Sequence, residues 1–169
     1  MKNIIKFIIA LLIIVPAQAQ ISKAELIATG LTCSMCSKAT YKQLQSIPGV
    51  EKITTDLNSS SFIIQYKPGT AVNVADIRKK VQDAGFSVGS LVVDMNLKNV
   101  AAANNSSFSY NNSSFIFVET TAKSLHGIVK LKLLDKGFIT DKEFKQLSKN
   151  AKQYPSYNSQ VNAFHVKPI

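Results

Sequence analysis

The sequence predicts an α+β protein in which a βαββαβ unit is followed by a small, mixed, β-rich C-terminal domain of unknown fold. Two observations carry this prediction. Residues 24–95 alternate between strand-like and helix-like hydrophobic patterns. The stretch at residues 99–114 is uncharged and rich in Asn, Ser and Ala, a composition typical of a linker or long loop between two domains.

The N-terminal segment has the pattern of a cleavable secretory signal. Lys2 and Lys6 form a short basic segment, and residues 7–15 are nine consecutive apolar residues. An Ala-Gln-Ala cleavage-site motif of small residues ends at Ala19. A spanning helix needs about 20 apolar residues, so this run is too short for a retained anchor. We therefore expect residues 1–19 to be a signal peptide cleaved after Ala19. The mature chain is then expected in the periplasm, with no stable membrane insertion.

Hydrophobic periodicity predicts the first elements of the βαββαβ unit. Residues 24–29 predict a short strand, and residues 37–47 have the apolar spacing of a helix that the following Pro-Gly pair ends. Residues 50–57 and 61–67 predict two strands. Because only the polar residues Asn58 to Ser60 separate these strands, we expect a hairpin.

The second helix and the last strand of the unit follow in the same way. Asn73 is suited to cap a helix, Asp76 falls in its first turn, and Gly85 is suited to end it. Residues 86–95 predict the final strand. The resulting order is that of the ferredoxin-like fold, in which both helices cover one face of a four-stranded antiparallel sheet. We place this domain at residues 22–95.

The charge distribution does not favour a nucleic-acid partner. The formal net charge is +10, but residues 95–169 contribute ten Lys and no Arg, spread over predicted strand and helix faces. Nucleic-acid-binding surfaces usually combine a dense basic cluster with aromatic side chains, and this chain has no such cluster. We expect these lysines to form a solvated surface.

Cys33 and Cys36 are the two cysteines of the chain and lie near the opening of the first predicted helix. Unpaired N–H groups and the positive end of the helix dipole favour a thiolate there. Soft sulfur ligands select Cu(I), whereas structural zinc needs about four ligands and His126 and His165 are distant in sequence. The spacing therefore favours a two-coordinate soft ion. An oxidised disulfide and a dithiol redox pair are the alternatives, because exported thiols meet an oxidising compartment.

Residues 25–94 resemble a heavy-metal-associated domain, the module of copper chaperones, of the N-terminal repeats of heavy-metal ATPases and of the periplasmic mercury-binding protein. The segment GLTCSMC at residues 30–36 is similar to the family's G-M-T-C-x-x-C motif, with Leu31 in place of the usual Met. The segments SIPGVEKITTDL and VADIRKKVQDAGF, at residues 46–57 and 74–86, carry the rest of the resemblance. Thr32 and both cysteines match the motif directly.

The resemblance implies that Cys33 and Cys36 ligate a metal ion, with Gly30 and Thr32 shaping the loop and Phe86 packing nearby. The expected protein is a metallochaperone-like binding protein and not an enzyme. It would hold Cu(I) and pass it by ligand exchange to a metal transporter or another metal-accepting protein. Hg(II), Zn(II) and Cd(II) are alternative ions, a metal-bridged dimer is an alternative state, and a thiol-disulfide redox protein is the alternative function.

The second half is predicted to be an accessory domain at residues 115–169 with no ligand of its own. Residues 113–120, 127–135 and 160–168 predict strands, and Thr140 with Glu143 forms a capping box ahead of a short helix. The sequence of this half shows no paired carboxylates near a histidine, no Gly-rich phosphate loop and no serine nucleophile setting. We expect His126 in a turn and His165 in a core or on a sheet surface. Met35 is expected to point outward from the cysteine loop.

Overall fold

The computed structural model of the protein describes residues 19–149 and 163–169, so the predicted signal peptide lies outside the described residues except for Ala19. Within these ranges, no helix is both long and apolar enough to span a membrane. The elements in chain order are β1 (Gln20–Thr29), α1 (Ser34–Gln45), β2 (Val50–Asp56), β3 (Ser61–Tyr66), α2 (Val74–Asp83), β4 (Ser87–Ala101), β5 (Ser107–Tyr110), β6 (Ser113–Phe117), β7 (Ser124–Leu133), α3 (Asp141–Ser148) and β8 (Ala163–Pro168).

The first six elements have the predicted βαββαβ order. Their strands lie side by side as β2-β3-β1-β4, and every neighbouring pair is antiparallel. Leu44 of α1 and Ile77 of α2 are completely buried and belong to the same core cluster as Leu26, Phe62 and Leu91 of the strands. Both helices therefore cover one face of this part of the sheet, as predicted for a ferredoxin-like unit.

The separate C-terminal domain predicted from composition is not confirmed. The strands of the second half continue the first sheet, giving the order β2-β3-β1-β4-β7-β8-β6-β5, in which β6 and β8 are parallel. β7 pairs with β4 from Val92 opposite Lys132 to Ala101 opposite Ser124. Buried residues of both halves form one hydrophobic cluster. Residues 115–149 and 163–169 are thus an extension of the first unit's sheet and core.

The linker or long loop predicted at residues 99–114 is wrong as a structural assignment. The stretch contains the end of β4, the whole of β5 and the start of β6. Asn111 and Asn112 have φ angles of 45° and 60° and connect Tyr110 to its partner Ser113. Asn tolerates this left-handed conformation, which two-residue hairpin turns require. The composition suggested a linker because β5 is short and alternates Ser with aromatic residues.

An aromatic cluster joins the second half to the helix layer. The ring of Phe115 lies 5.4 Å from that of Phe108 and 5.5 Å from that of Phe164, measured between centroids. Tyr110 extends this contact to the first half, since its hydroxyl accepts a 2.9 Å hydrogen bond from the N–H of Val72. The β5–β6 hairpin is therefore tied to the loop that leads into α2.

The third helix covers the opposite face of the sheet. Val118, Leu134 and Ile139 form a second buried cluster, against which Phe144 and Leu147 of α3 pack. The predicted cap is present, because the N–H of Glu143 donates to Oγ1 of Thr140 at 3.3 Å. The Glu143 carboxylate pairs with Lys132 of β7 at 2.6 Å. This ion pair links α3 to β7, in addition to the apolar packing of Phe144 and Leu147.

Candidate metal-binding site

The loop between β1 and α1 carries both cysteines and is supported from below by apolar side chains. Gly30 has a φ of +87°, a conformation that favours glycine. A Cβ atom at this position would lie 3.6 Å from Cδ1 of Phe86, so the half-buried Phe86 ring contacts the loop. Leu31 packs against the main core. The predicted loop-shaping role of Gly30 and the predicted position of Phe86 next to the loop are consistent with this packing.

Cys33 is the N-cap of α1. Its φ and ψ angles of −149° and 159° are extended, and its Sγ accepts a 3.3 Å hydrogen bond from the N–H of Cys36. Its carbonyl oxygen accepts from the N–H groups of Cys36 and Ser37 at 3.1 and 3.2 Å. The helix therefore begins at Ser34, three residues before the predicted start. The prediction missed this because sulfur is not among the usual capping groups.

The two thiols titrate differently because one donates a hydrogen bond to the other. The thiol of Cys36 and then its backbone N–H hydrogen-bond to the sulfur of Cys33, which lowers the pKa of Cys33 below its usual value. The same side-chain hydrogen bond stabilises the protonated form of Cys36 and raises the pKa of Cys36. Cys33 therefore loses its proton first.

We expect the substitution Cys36→Ala to raise the pKa of Cys33, because it removes the hydrogen bond that contributes most to the shift. The value should stay below that of an ordinary thiol, because the N–H of residue 36 remains. The measurement is the rate of Cys33 alkylation as a function of pH in both proteins. An unchanged profile would show that the Cys36 thiol does not stabilise the Cys33 thiolate.

The cysteine pair is accessible from solvent. Cys33 is exposed, Cys36 is half-buried, and both thiols are free. Met35 between them is 70% exposed, which agrees with its predicted outward orientation. In residues 19–149 and 163–169, no group of three or more His, Cys, Asp or Glu side chains is placed to hold a metal ion. Two sulfurs are thus the donor set that the described chain brings together, and their assignment as metal ligands stays a prediction.

The histidines belong to other parts of the fold. His165 is buried, as expected, with Nδ1 2.6 Å from Oδ1 of Asp135 and its backbone N–H donating to Oδ2 of Asp135 at 2.6 Å. His126 is exposed and lies within β7, so the predicted turn position is wrong. The turn was predicted because Gly127 follows His126. Gly127 does have a φ of +77°, but it lies within β7, beside a register shift between β4 and β7.

Sequence reasoning missed that the second half of the chain reaches the cysteine end of the sheet. β7 runs antiparallel to β4, toward the start of β4. Beyond the end of β7, Ile139 forms an isolated β-bridge with Ser90, near the start of β4. The β4 strand begins directly after Phe86, beneath the cysteine loop. No local signal in residues 134–141 indicates this position, because it depends on the pairing of β4 with β7.

An exposed thiol pair at the first helix of a βαββαβ module defines a class of small domains suited to soft-metal binding or thiol exchange. Residues 25–87 match the family model of the heavy-metal-associated domain, and this part of the chain is therefore such a domain. The segment is similar to a copper-exporting P-type ATPase of Staphylococcus haemolyticus, with 43% identity over 49 residues, and to a probable copper-transporting ATPase of Arabidopsis thaliana, with 32% identity over 77 residues.

These similarities cover only parts of the proteins compared. The matches take up 29% and 45% of this chain, and 6% and 8% of the two ATPases. The chain therefore spans less than a tenth of the length of the curated relatives it matches. Among solved structures, the metallochaperone CopZ shows 27% identity, covering 40% of this chain and 98% of that protein, with a TM-score of 0.37.

Proposed function

We propose that the protein is an exported carrier of Cu(I), rather than an enzyme, that holds one ion between Cys33 and Cys36 and passes it on by ligand exchange. The single observation that carries this proposal is the exposed thiol pair at the N-terminus of α1, in which Cys33 already accepts an N–H hydrogen bond. That hydrogen bond and the helix dipole favour the thiolate, which is the form that binds metal.

The chemistry of the donor set favours copper over the other ions. Two thiolates suit a soft monovalent ion of low coordination number, whereas zinc in a structural site takes about four ligands. The matched segments of the relatives belong to proteins named as copper-exporting and copper-transporting ATPases. Hg(II) suits the same pair of sulfurs, and Zn(II) and Cd(II) would need donors from a second molecule.

The accessibility of the pair supports transfer to a partner. Because the loop is exposed, a thiolate of the partner can reach the bound ion without unfolding of the carrier. The ion then moves through intermediates in which both proteins ligate it. The partner we propose is a metal transporter or another metal-accepting protein that presents its own thiolates. The basic segment, the apolar segment and the cleavage-site motif of residues 1–19 support export of the chain to the periplasm.

The experiment that tests the proposal is an anaerobic titration of the reduced protein, residues 20–169, with Cu(I) against a chromophoric chelator. We expect tight binding of one ion per chain and weaker binding of Zn(II) under the same conditions. Copper-loaded protein mixed with a dithiol acceptor should then lose its ion rapidly. Binding too weak to compete with the chelator would overturn the proposal, and slow release to the acceptor would overturn the transfer step alone.

A second candidate function is thiol-disulfide exchange. It is favoured by the unequal thiols, because a low-pKa Cys33 beside a high-pKa Cys36 is the pattern of an attacking and a resolving cysteine. Catalysed reduction of a protein disulfide by the wild type, lost in Cys33→Ser, would support this function. If such catalysis occurs and Cu(I) binding is weak, the redox function replaces the copper function.

A further inference from the structure

A polar cleft of about 530 Å³ opens at the same end of the sheet as the cysteine loop. Its walls come from both halves of the chain, with α2 and the ends of β1 and β4 on one side and residues 136–141 on the other. This volume lies in the range of sites that bind small molecules. The cleft exists only because the pairing of β7 with β4 places residues 136–141 opposite α2.

The cleft lies next to the cysteine loop in the chain. Thr29 is the last residue of β1 and lines the cleft, and its Oγ1 donates to the carbonyl oxygen of Ser87 at 3.2 Å. Gly30 and the rest of the cysteine loop follow directly. Four residues span at most about 14 Å, so Cys33 lies within that distance of the cleft wall.

Arg78 of α2 lines the cleft and is held there by two contacts. Its guanidinium carbon lies 4.8 Å from the centroid of the Phe138 ring, and its Nη1 donates to the carbonyl oxygen of Lys136 at 3.3 Å. A Cβ atom at Gly137 would lie 2.9 Å from Cδ of Arg78, so this glycine leaves room for the arginine stem. These contacts orient the guanidinium, and the hydrogen bond to the Lys136 carbonyl uses one of its five N–H donors.

The charge balance of the lining favours a negative ligand. Arg78 and Lys136 are positive, Asp141 is negative, and the remaining residues that line the cleft are uncharged. A fixed guanidinium matches the planar fork of a carboxylate or the oxygens of a phosphate group. Asp141 lies in the first turn of α3 and opposes part of this attraction.

We propose that this cleft binds a small organic anion through Arg78 and Lys136, with a carboxylate or phosphate group as the recognised feature. The thiols take no part in this contact. The site therefore does not depend on the proposed copper function, and it can be tested in a protein that lacks both cysteines.

The test uses the Cys33→Ser/Cys36→Ser protein, labelled for NMR and titrated separately with citrate and with glycerol 3-phosphate. We expect saturable shifts of backbone amides around the cleft, including Ser87 and Gly137, with at least one of the two probes. The probe that binds more tightly identifies the group. No saturable shift with either probe would overturn the proposal.

Charge variants separate a specific site from general attraction to a basic protein. Lys136→Gln should weaken binding about three- to tenfold, and Asp141→Asn should strengthen it by a similar factor. Both side chains are exposed, so the fold should tolerate the changes, whereas Arg78 also packs on Phe138. Lys123→Gln, an exposed lysine that does not line the cleft, is the matched control. Equal weakening by Lys123→Gln and Lys136→Gln would overturn the proposal.

Discussion

Replacing Cys33 and Cys36 together by serine is expected to lower the affinity for Cu(I) by more than about a thousandfold, because a hydroxyl is a hard and protonated donor. The fold should persist, since Ser at position 33 can still cap α1 through its side-chain oxygen. The measurement is the chelator competition described above, with circular dichroism to verify the fold. Retained affinity would place the copper site elsewhere in the chain.

The matched control for this experiment is Met35→Leu. Met35 lies between the two cysteines and is 70% exposed, so its thioether is not held by packing. We expect the affinity of this variant to equal that of the wild type. A large loss would mean that the thioether is a third ligand, which would correct the two-sulfur site without removing the copper function.

The substitution Phe117→Ala is expected to lower the free energy of unfolding of the whole protein by about 3 to 5 kcal/mol. Phe117 is completely buried, and its ring lies 5.4 Å from that of Phe108. Because both halves share one sheet and one core cluster, the loss should appear in β1–β3 as well as in β6–β8. The loss of stability in each half is measured by hydrogen exchange of peptides from that half at increasing denaturant concentration.

Ile128→Ala is the control for the core substitution. Ile128 lies on β7 in the same sheet but is 71% exposed, so its truncation should change the free energy of unfolding by no more than about 0.5 kcal/mol. If Phe117→Ala destabilised only the peptides of β6–β8, the two halves would unfold independently. That result would contradict a single shared core.

The elements of the first half could be predicted because each has a strong local signal. The cap at Asn73 is an example, since its side chain accepts from the N–H of Ala75 at 3.0 Å as the sequence suggested. The cysteine loop was located by the same kind of signal, two sulfurs directly after a strand. That the pKa of Cys33 is the lower of the two required the structure, because it depends on which sulfur accepts the hydrogen bonds of the Cys36 thiol and of the Cys36 N–H.

The arrangement of the second half could not be predicted from local patterns. Its strands β6, β7 and β8 and the helix α3 were indicated by alternation and by a capping box, but their partners in the sheet are distant in sequence. The parallel pairing of Phe115 with Phe164 joins residues almost fifty positions apart. Periodicity specifies which face of a strand is buried but not which strand lies beside it.

The pairing of β4 on both of its sides affects how the heavy-metal-associated domain would behave if it were produced alone. In the intact chain, β4 has hydrogen-bonded neighbours on both sides, β1 and β7. A protein shortened after residue 95 would turn this interior strand into an edge, with the N–H and C=O groups that face β7 left open to another chain. The buried Val93 and Met95 would lose neighbours at the same time. In the intact chain the second half therefore covers an edge that the shortened domain would expose, and we expect the shortened protein to self-associate more readily than the full chain.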